Sequence, residues 1–243
     1  AREAQTDGAR IVYQCGADLW LYDAAADRTH RLDVRVPAHR AQAARRFVPA
    51  ADHLGEFALH PQGHSVALDA RGKCFSLPLW EGAVRQHGKA DGVRHRHAQW
   101  LADGRRLAVV SDASGEERIE IHADGNVQSL DWDIGRVIAL QAAPAGARLA
   151  ITNHRNEVLV GDVATGTLTA LDRSASARSE SVAWSPDGAW LAYPFWTSSR
   201  HCAIKLADLG SGRSTLVTTP EFRDYAPSFD PGGKYLYFLS VRT

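Results

Sequence analysis

Ten residues ahead of each of five regularly spaced glycines stands a basic or potentially basic side chain. His53, Arg94, Arg136, Arg178 and Arg223 precede Gly63, Gly104, Gly146, Gly188 and Gly233. Arginine presents a planar fork that matches a carboxylate with two parallel hydrogen bonds. Repeated at one position, such residues could form a basic ring that attracts the carboxylate of a peptide. The competing reading is structural: each cation can pair with a backbone carbonyl or with an acid such as Asp52, Glu180, Glu221 or Asp224. A second group is His95 with His97, and His87 upstream. On a strand, residues two apart share one face, so the first two imidazoles could ligate zinc or copper. A metal site needs a third ligand and a supporting shell, and no persuasive one adjoins them in sequence. They read as polar strand residues, and neither a metal nor another cofactor is expected. No serine sits in a Gly-x-Ser-x-Gly elbow, and the glycine turns lack phosphate-loop patterns. No catalytic residue is assigned within the chain.

The elements that must position these residues follow from the glycines, whose steps are 41, 42, 42 and 45 residues. Each glycine closes a Pro-x-Gly, Asp-Gly or similar turn between two apolar stretches: 57–70, 98–112, 140–153, 182–195 and 227–240. Such a turn connects antiparallel strands. A further strand pair follows in 73–86, 118–130, 157–171 and 203–217. The spacing predicts an all-β fold, a β-propeller fragment of about five repeats with four antiparallel strands each. Four positions before each glycine stand Leu59, Trp100, Ala142, Trp184 and Phe229; three after it stand Val66, Leu107, Leu149, Leu191 and Leu236. These are the expected layers between blades. In a propeller the first strand of each blade is innermost, so the basic positions would recur around one mouth of the axial channel.

The N-terminal segment starts out of phase. Residues 10–16 read as a second strand and 18–32 as a third and fourth, with no first strand before them. Residues 1–34 are therefore expected to end a preceding propeller, 35–52 to form a junction with a short helix at 38–46, and 53–243 to supply four blades and part of a fifth.

Composition narrows the function classes. The 28 Lys and Arg balance 28 Asp and Glu, without the excess that phosphate backbones or anionic membranes demand. No apolar run approaches a membrane span and no signal segment is present, which points to a cytoplasmic protein. Cys15, Cys74 and Cys202 are expected to be buried thiols, and the absence of methionine points to a piece of a longer chain.

The run Gly16-Ala17-Asp18-Leu19-Trp20-Leu21-Tyr22-Asp23, the segment Ser111-Asp112-Ala113-Ser114-Gly115-Glu116 and the stretch Lys234-Tyr235-Leu236-Tyr237-Phe238-Leu239-Ser240 resemble tricorn-type proteases. The resemblance implies a cytosolic serine peptidase whose six-bladed and seven-bladed propellers precede the catalytic segments. Those segments carry the family's Ser and His, so none of its catalytic residues maps here. It further implies that the chain gates or guides peptides, which become its partners through the parent enzyme. The exposed strand edges of an open set of blades point to self-association. A TolB-like adaptor and the lid propeller of a prolyl oligopeptidase share the hairpin and remain alternatives.

Overall fold

The computed structural model describes residues 2–35, 47–88 and 91–242, so the helix expected at 38–46 lies outside the described residues. The chain falls into two compact units, Ala1–Val48 and Pro49–Thr243.

The first unit is a four-stranded antiparallel sheet of β1 (Arg2–Thr6), β2 (Arg10–Cys15), β3 (Asp18–Asp23) and β4 (Arg28–Arg31), paired in that order. The residue pattern predicts three strands here; the structure adds β1 in front of them. Its residues are exposed and, Ala4 apart, polar, and Glu3, at φ 51°, sits where the register shifts between Arg2 and Gln5. Apolar alternation, the main sequence signal for a strand, is therefore missing. The β1–β2 turn is held by Asp7, whose Oδ1 accepts from the backbone of Ala9 (3.0 Å) and Arg10 (2.7 Å). These amides and the Arg10 side chain hold its carboxyl down at about 2. Cys15, at the end of β2, is exposed, contrary to expectation. The short β2–β3 connection leaves its side chain nothing to pack under.

The second unit opens with a 3-10 turn, Ala50–His53. Four-stranded antiparallel sheets follow: β5 (Leu54–Leu59), β6 (Ser65–Ala70), β7 (Lys73–Pro78) and β8 (Arg85–His87); β9 (His95–Trp100), β10 (Leu107–Ser111), β11 (Arg118–Ala123) and β12 (Asn126–Leu130); β13 (Val137–Ala142), β14 (Arg148–Asn153), β15 (Glu157–Asp162) and β16 (Thr167–Arg173). The fourth comprises β17 (Ala183–Trp184), β18 (Trp190–Trp196), β19 (Cys202–Asp208) and β20 (Arg213–Leu216). A parallel bridge from Cys202 to Arg223 joins it to the hairpin β21 (Arg223–Phe229) and β22 (Leu236–Val241).

All five repeat glycines have positive φ, between 64° and 76°, the conformation the hairpins require and one that glycine adopts without strain. Leu59–Val66, Trp100–Leu107, Ala142–Leu149, Trp184–Leu191 and Phe229–Leu236 are cross-strand partners, as the spacing implied. Leu107, Leu149 and Leu191 are fully buried, each against the preceding blade. Val66 occupies the equivalent position in the first sheet and is only half-buried. Side chains also tie neighbouring turns together. His60 Nε2 lies 2.7 Å from the Gly104 carbonyl, and Arg148 donates to the Gly188 carbonyl at 2.6 Å.

Candidate functional site

Two polar regions stand out within the second unit: the starts of the innermost strands, and the face of the β9–β12 sheet that meets β5–β8. At the first, His53, Arg94 and Arg136 immediately precede β5, β9 and β13, Arg223 begins β21, and Arg178 lies shortly before β17. All five are exposed. Two are pinned by identical backbone geometry. The Arg94 N–H donates to Asp112 Oδ1 (2.7 Å) and the Arg136 N–H to His154 Nδ1 (2.9 Å), each partner lying eighteen residues on. Those partners donate their own N–H groups back to the Arg94 and Arg136 carbonyls. The backbone is fixed while the guanidinium projects. Among the described residues only Arg178 of the five makes an ion pair, a long one of 3.7 Å to exposed Glu180. Arg223 stacks over Trp196 and Tyr225, at 5.2 and 5.7 Å. Of the acid pairings weighed above as the structural reading, Arg178–Glu180 is the one seen among the described residues. A groove of about 620 Å³ lies between the innermost strands, lined in part by Phe57, Gln99, Gln141 and Ser181.

His95 and His97 both turn towards the preceding blade, but their rings go to different partners. His97 has φ 54°, and the β9–β10 register shifts between Ala108 and Val110. A bulge of this kind breaks the two-residue alternation. His97 turns towards β5, where its Nδ1 is 2.8 Å from Glu56 Oε2, while its Nε2 is 3.0 Å from Arg96 Nη1. Since arginine can only donate, Nε2 accepts and Nδ1–H donates to Glu56. Arg96 continues the chain to Glu117, at 2.5 and 2.7 Å, and to the Val137 carbonyl at 2.7 Å. One polar thread thus runs across three blades near their inner edge.

His95 reaches over β10 to β11. Its Nε2 is 3.4 Å from Glu120 Oε2, and His122 Nε2 is 3.0 Å from the same oxygen. The side chains of His95, Glu120 and His122 are buried or nearly so. Hydrogen bonds from His122 and His95 outweigh burial and hold the Glu120 carboxyl far below its ordinary range. The cluster adjoins a cavity of about 450 Å³ whose lining includes Ser76, Arg85 and His87. Burial, then the charges of His122 and Arg85, push His87 down to about 4, and its Nε2 lies 2.9 Å from Ser76 Oγ. Glu120 and His122 escape sequence reasoning because they alternate with Ile119 and Ile121 along β11, a pattern that ordinarily marks a solvent-facing side.

A family model described as the tricorn protease second beta propeller domain matches residues 54–243. A tricorn protease homolog from Saccharolobus solfataricus is 32% identical over 241 residues, which cover 99% of this chain and 22% of that protein. The crystal structure of the tricorn protease superposes with a TM-score of 0.71 at 22% identity, covering 98% of this chain and 23% of that one. TolB from Acinetobacter baumannii shares the fold at a TM-score of 0.53 and 16% identity, over 86% of this chain and 51% of its own. The chain thus spans about a fifth to a quarter of the length of these tricorn relatives. Among the described residues, no helix is long and apolar enough to cross a membrane.

Proposed function

The chain belongs to the tricorn protease family, and from that premise we propose that its second unit is a non-catalytic propeller segment that guides peptides by their carboxylates. The observation that carries this reading is the exposure of His53, Arg94, Arg136, Arg178 and Arg223 at equivalent ends of the innermost strands. Exposed basic groups at equivalent ends of the innermost strands act as a diffuse attractor for carboxylates, and their field falls off over roughly 8 Å at physiological salt. The groove between the innermost strands mixes amide and apolar side chains, a lining that suits a peptide backbone without selecting one sequence. Residues 1–34 belong in this reading to the end of a preceding propeller and 35–52 to a junction. Its support is the separate four-stranded sheet and the start of the family match at residue 54.

The test compares a fluorescent peptide carrying a free C-terminal carboxylate with its amide. Anisotropy with this chain should show severalfold tighter binding of the carboxylate form, weakened by salt and lost in Arg94→Glu/Arg178→Glu. Equal binding of both peptides, or no change in the double variant at unchanged stability, overturns it.

Self-association is a second part of the reading, supported by exposed Phe57 and Leu59 in the first sheet and Tyr237 and Leu239 on β22. Light scattering that finds a monodisperse monomer across the concentration range refutes this part alone.

A further inference from the structure

We propose that His95, Glu120 and His122 form a binding site for a divalent transition-metal ion, with zinc the best chemical match. Their ligand atoms lie within 4.8 Å of one another, and both imidazole Nε2 atoms address the same carboxylate oxygen, at 3.4 and 3.0 Å. Bonds of about 2.0–2.2 Å in tetrahedral array put ligand atoms roughly 3.3 Å apart. The two contacts to Glu120 already stand near that spacing, and no pair of ligand atoms, being within 4.8 Å, needs to close by more than about 1.5 Å to surround one ion. Two imidazoles and one carboxylate suit zinc, cobalt or ferrous iron; calcium and magnesium prefer oxygen alone.

The surroundings favour an ion over a satisfied polar cluster. His95 is 1% exposed, yet its Nδ1 has no hydrogen-bond partner. Its ring is therefore aimed by Nε2 alone, across a gap longer than a good N–H···O bond. The ligands stand on strands β9 and β11, which fix their backbones. The adjoining cavity has room for water as a fourth ligand, and His87 stands in its wall.

Register gives independent support. Glu120 and His122 pair with Val109 and Leu107 of β10. At the same registers the first sheet has Phe75 and Leu77, and the third has Leu159 and Gly161. The fold accepts apolar residues at these positions, so it does not itself require the ionisable pair in the second sheet. Among the described residues no other trio of His, Cys, Asp or Glu converges in this way.

The experiment uses the full chain stripped with chelator and titrated with Co²⁺ in the visible range, then with Zn²⁺ in a calorimeter. The expected result is one ion per chain, with the intense d–d bands of low-coordinate cobalt and their loss on adding Zn²⁺. Glu120→Leu/His122→Leu should fold and bind at least about tenfold more weakly, whereas His201→Ala, an exposed histidine elsewhere, should bind as the parent does. Absence of cobalt bands and of zinc uptake in the parent chain overturns the site whatever the variants do. So does equal uptake by the folded leucine variant.

Discussion

Strand β11 turns Ile119 and Ile121 to one side and Glu120 and His122 to the other, and both sides are buried. On the first side the isoleucines join Ala108, Val110, Trp132, Leu149, Ile151 and Leu159 in an apolar interface with the next blade. On the second, Leu107, Val109 and Ala98 meet Ala67 and Cys74 of the preceding blade, and the His–Glu–His cluster lies beside a cavity. One sheet thus has two differently built interfaces. The apolar one gains from area removed from water, about 25 cal/mol per Å², and is tightly filled: a Cβ at Gly161 would come within 2.3 Å of the Trp132 ring. The polar one trades packing for ionisable groups that must satisfy one another. Such groups contribute little net stability, because desolvation offsets their attraction. The contrast separates a surface that holds blades together from one with spare chemistry.

Substitutions can break the comparison. Truncation on the apolar side should cost most: Ile119→Ala is expected to destabilise by about 2–5 kcal/mol, read as a lower urea midpoint. Gly161→Val, which forces a side chain into the Trp132 indole, should cost about 1–3 kcal/mol by overpacking, and its indole fluorescence should shift. On the polar side, Glu120→Ala should cost about 1–3 kcal/mol in chelator, because the two imidazoles lose their acceptor. Glu120→Leu/His122→Leu in chelator should be neutral or stabilising. A double variant that loses as much as Ile119→Ala would show that the two faces are energetically alike.

The thiols sharpen the comparison without any substitution. Burial, reinforced by the charges of Asp69 and Glu120, pushes Cys74 up to about 12, and burial with Asp224 does the same for Cys202. Near pH 8 the folded chain should therefore react rapidly with a thiol reagent only at exposed Cys15. Slow labelling of Cys74 would then time the opening of the polar interface, and equal rates for Cys74 and Cys202 would mean that the cavity adds no mobility. The sign for stability is also fixed. These thiols hold their protons longer when folded than when unfolded, so stability should fall as pH rises from about 8.5, the unfolded thiol value, towards about 12.

Much of the architecture was legible before any coordinates. The five glycines and their flanking apolar pairs gave the hairpins and their register, because turn chemistry and alternation act over a few residues. Trp184 lies in the core, as its repeat position implies. The polar β1 was not legible, and neither was the division of His95 and His97 between Glu120 and Glu56, which depends on a bulge that their residue types do not announce. Glu120 and His122 were missed for a further reason. The link between second and third strands spans 112–117 in one blade and 154–156 in the next, so counting from the glycine slips, and equivalence with Leu159 and Gly161 appears only through strand pairing.

The sequence by itself determined the repeat, the turn at each glycine, the layered apolar pairs and the recurrence of a basic residue ahead of every inner strand. These depend on interactions between near neighbours in the chain. Only the tertiary structure decided that a carboxylate and two imidazoles from strands separated by β10 would converge, and that both sides of β11 would be buried. The convergence depends on registers within one sheet, which bring residues 25 or more apart together, and the burial on the packing of one blade against the next; short-range patterns encode neither.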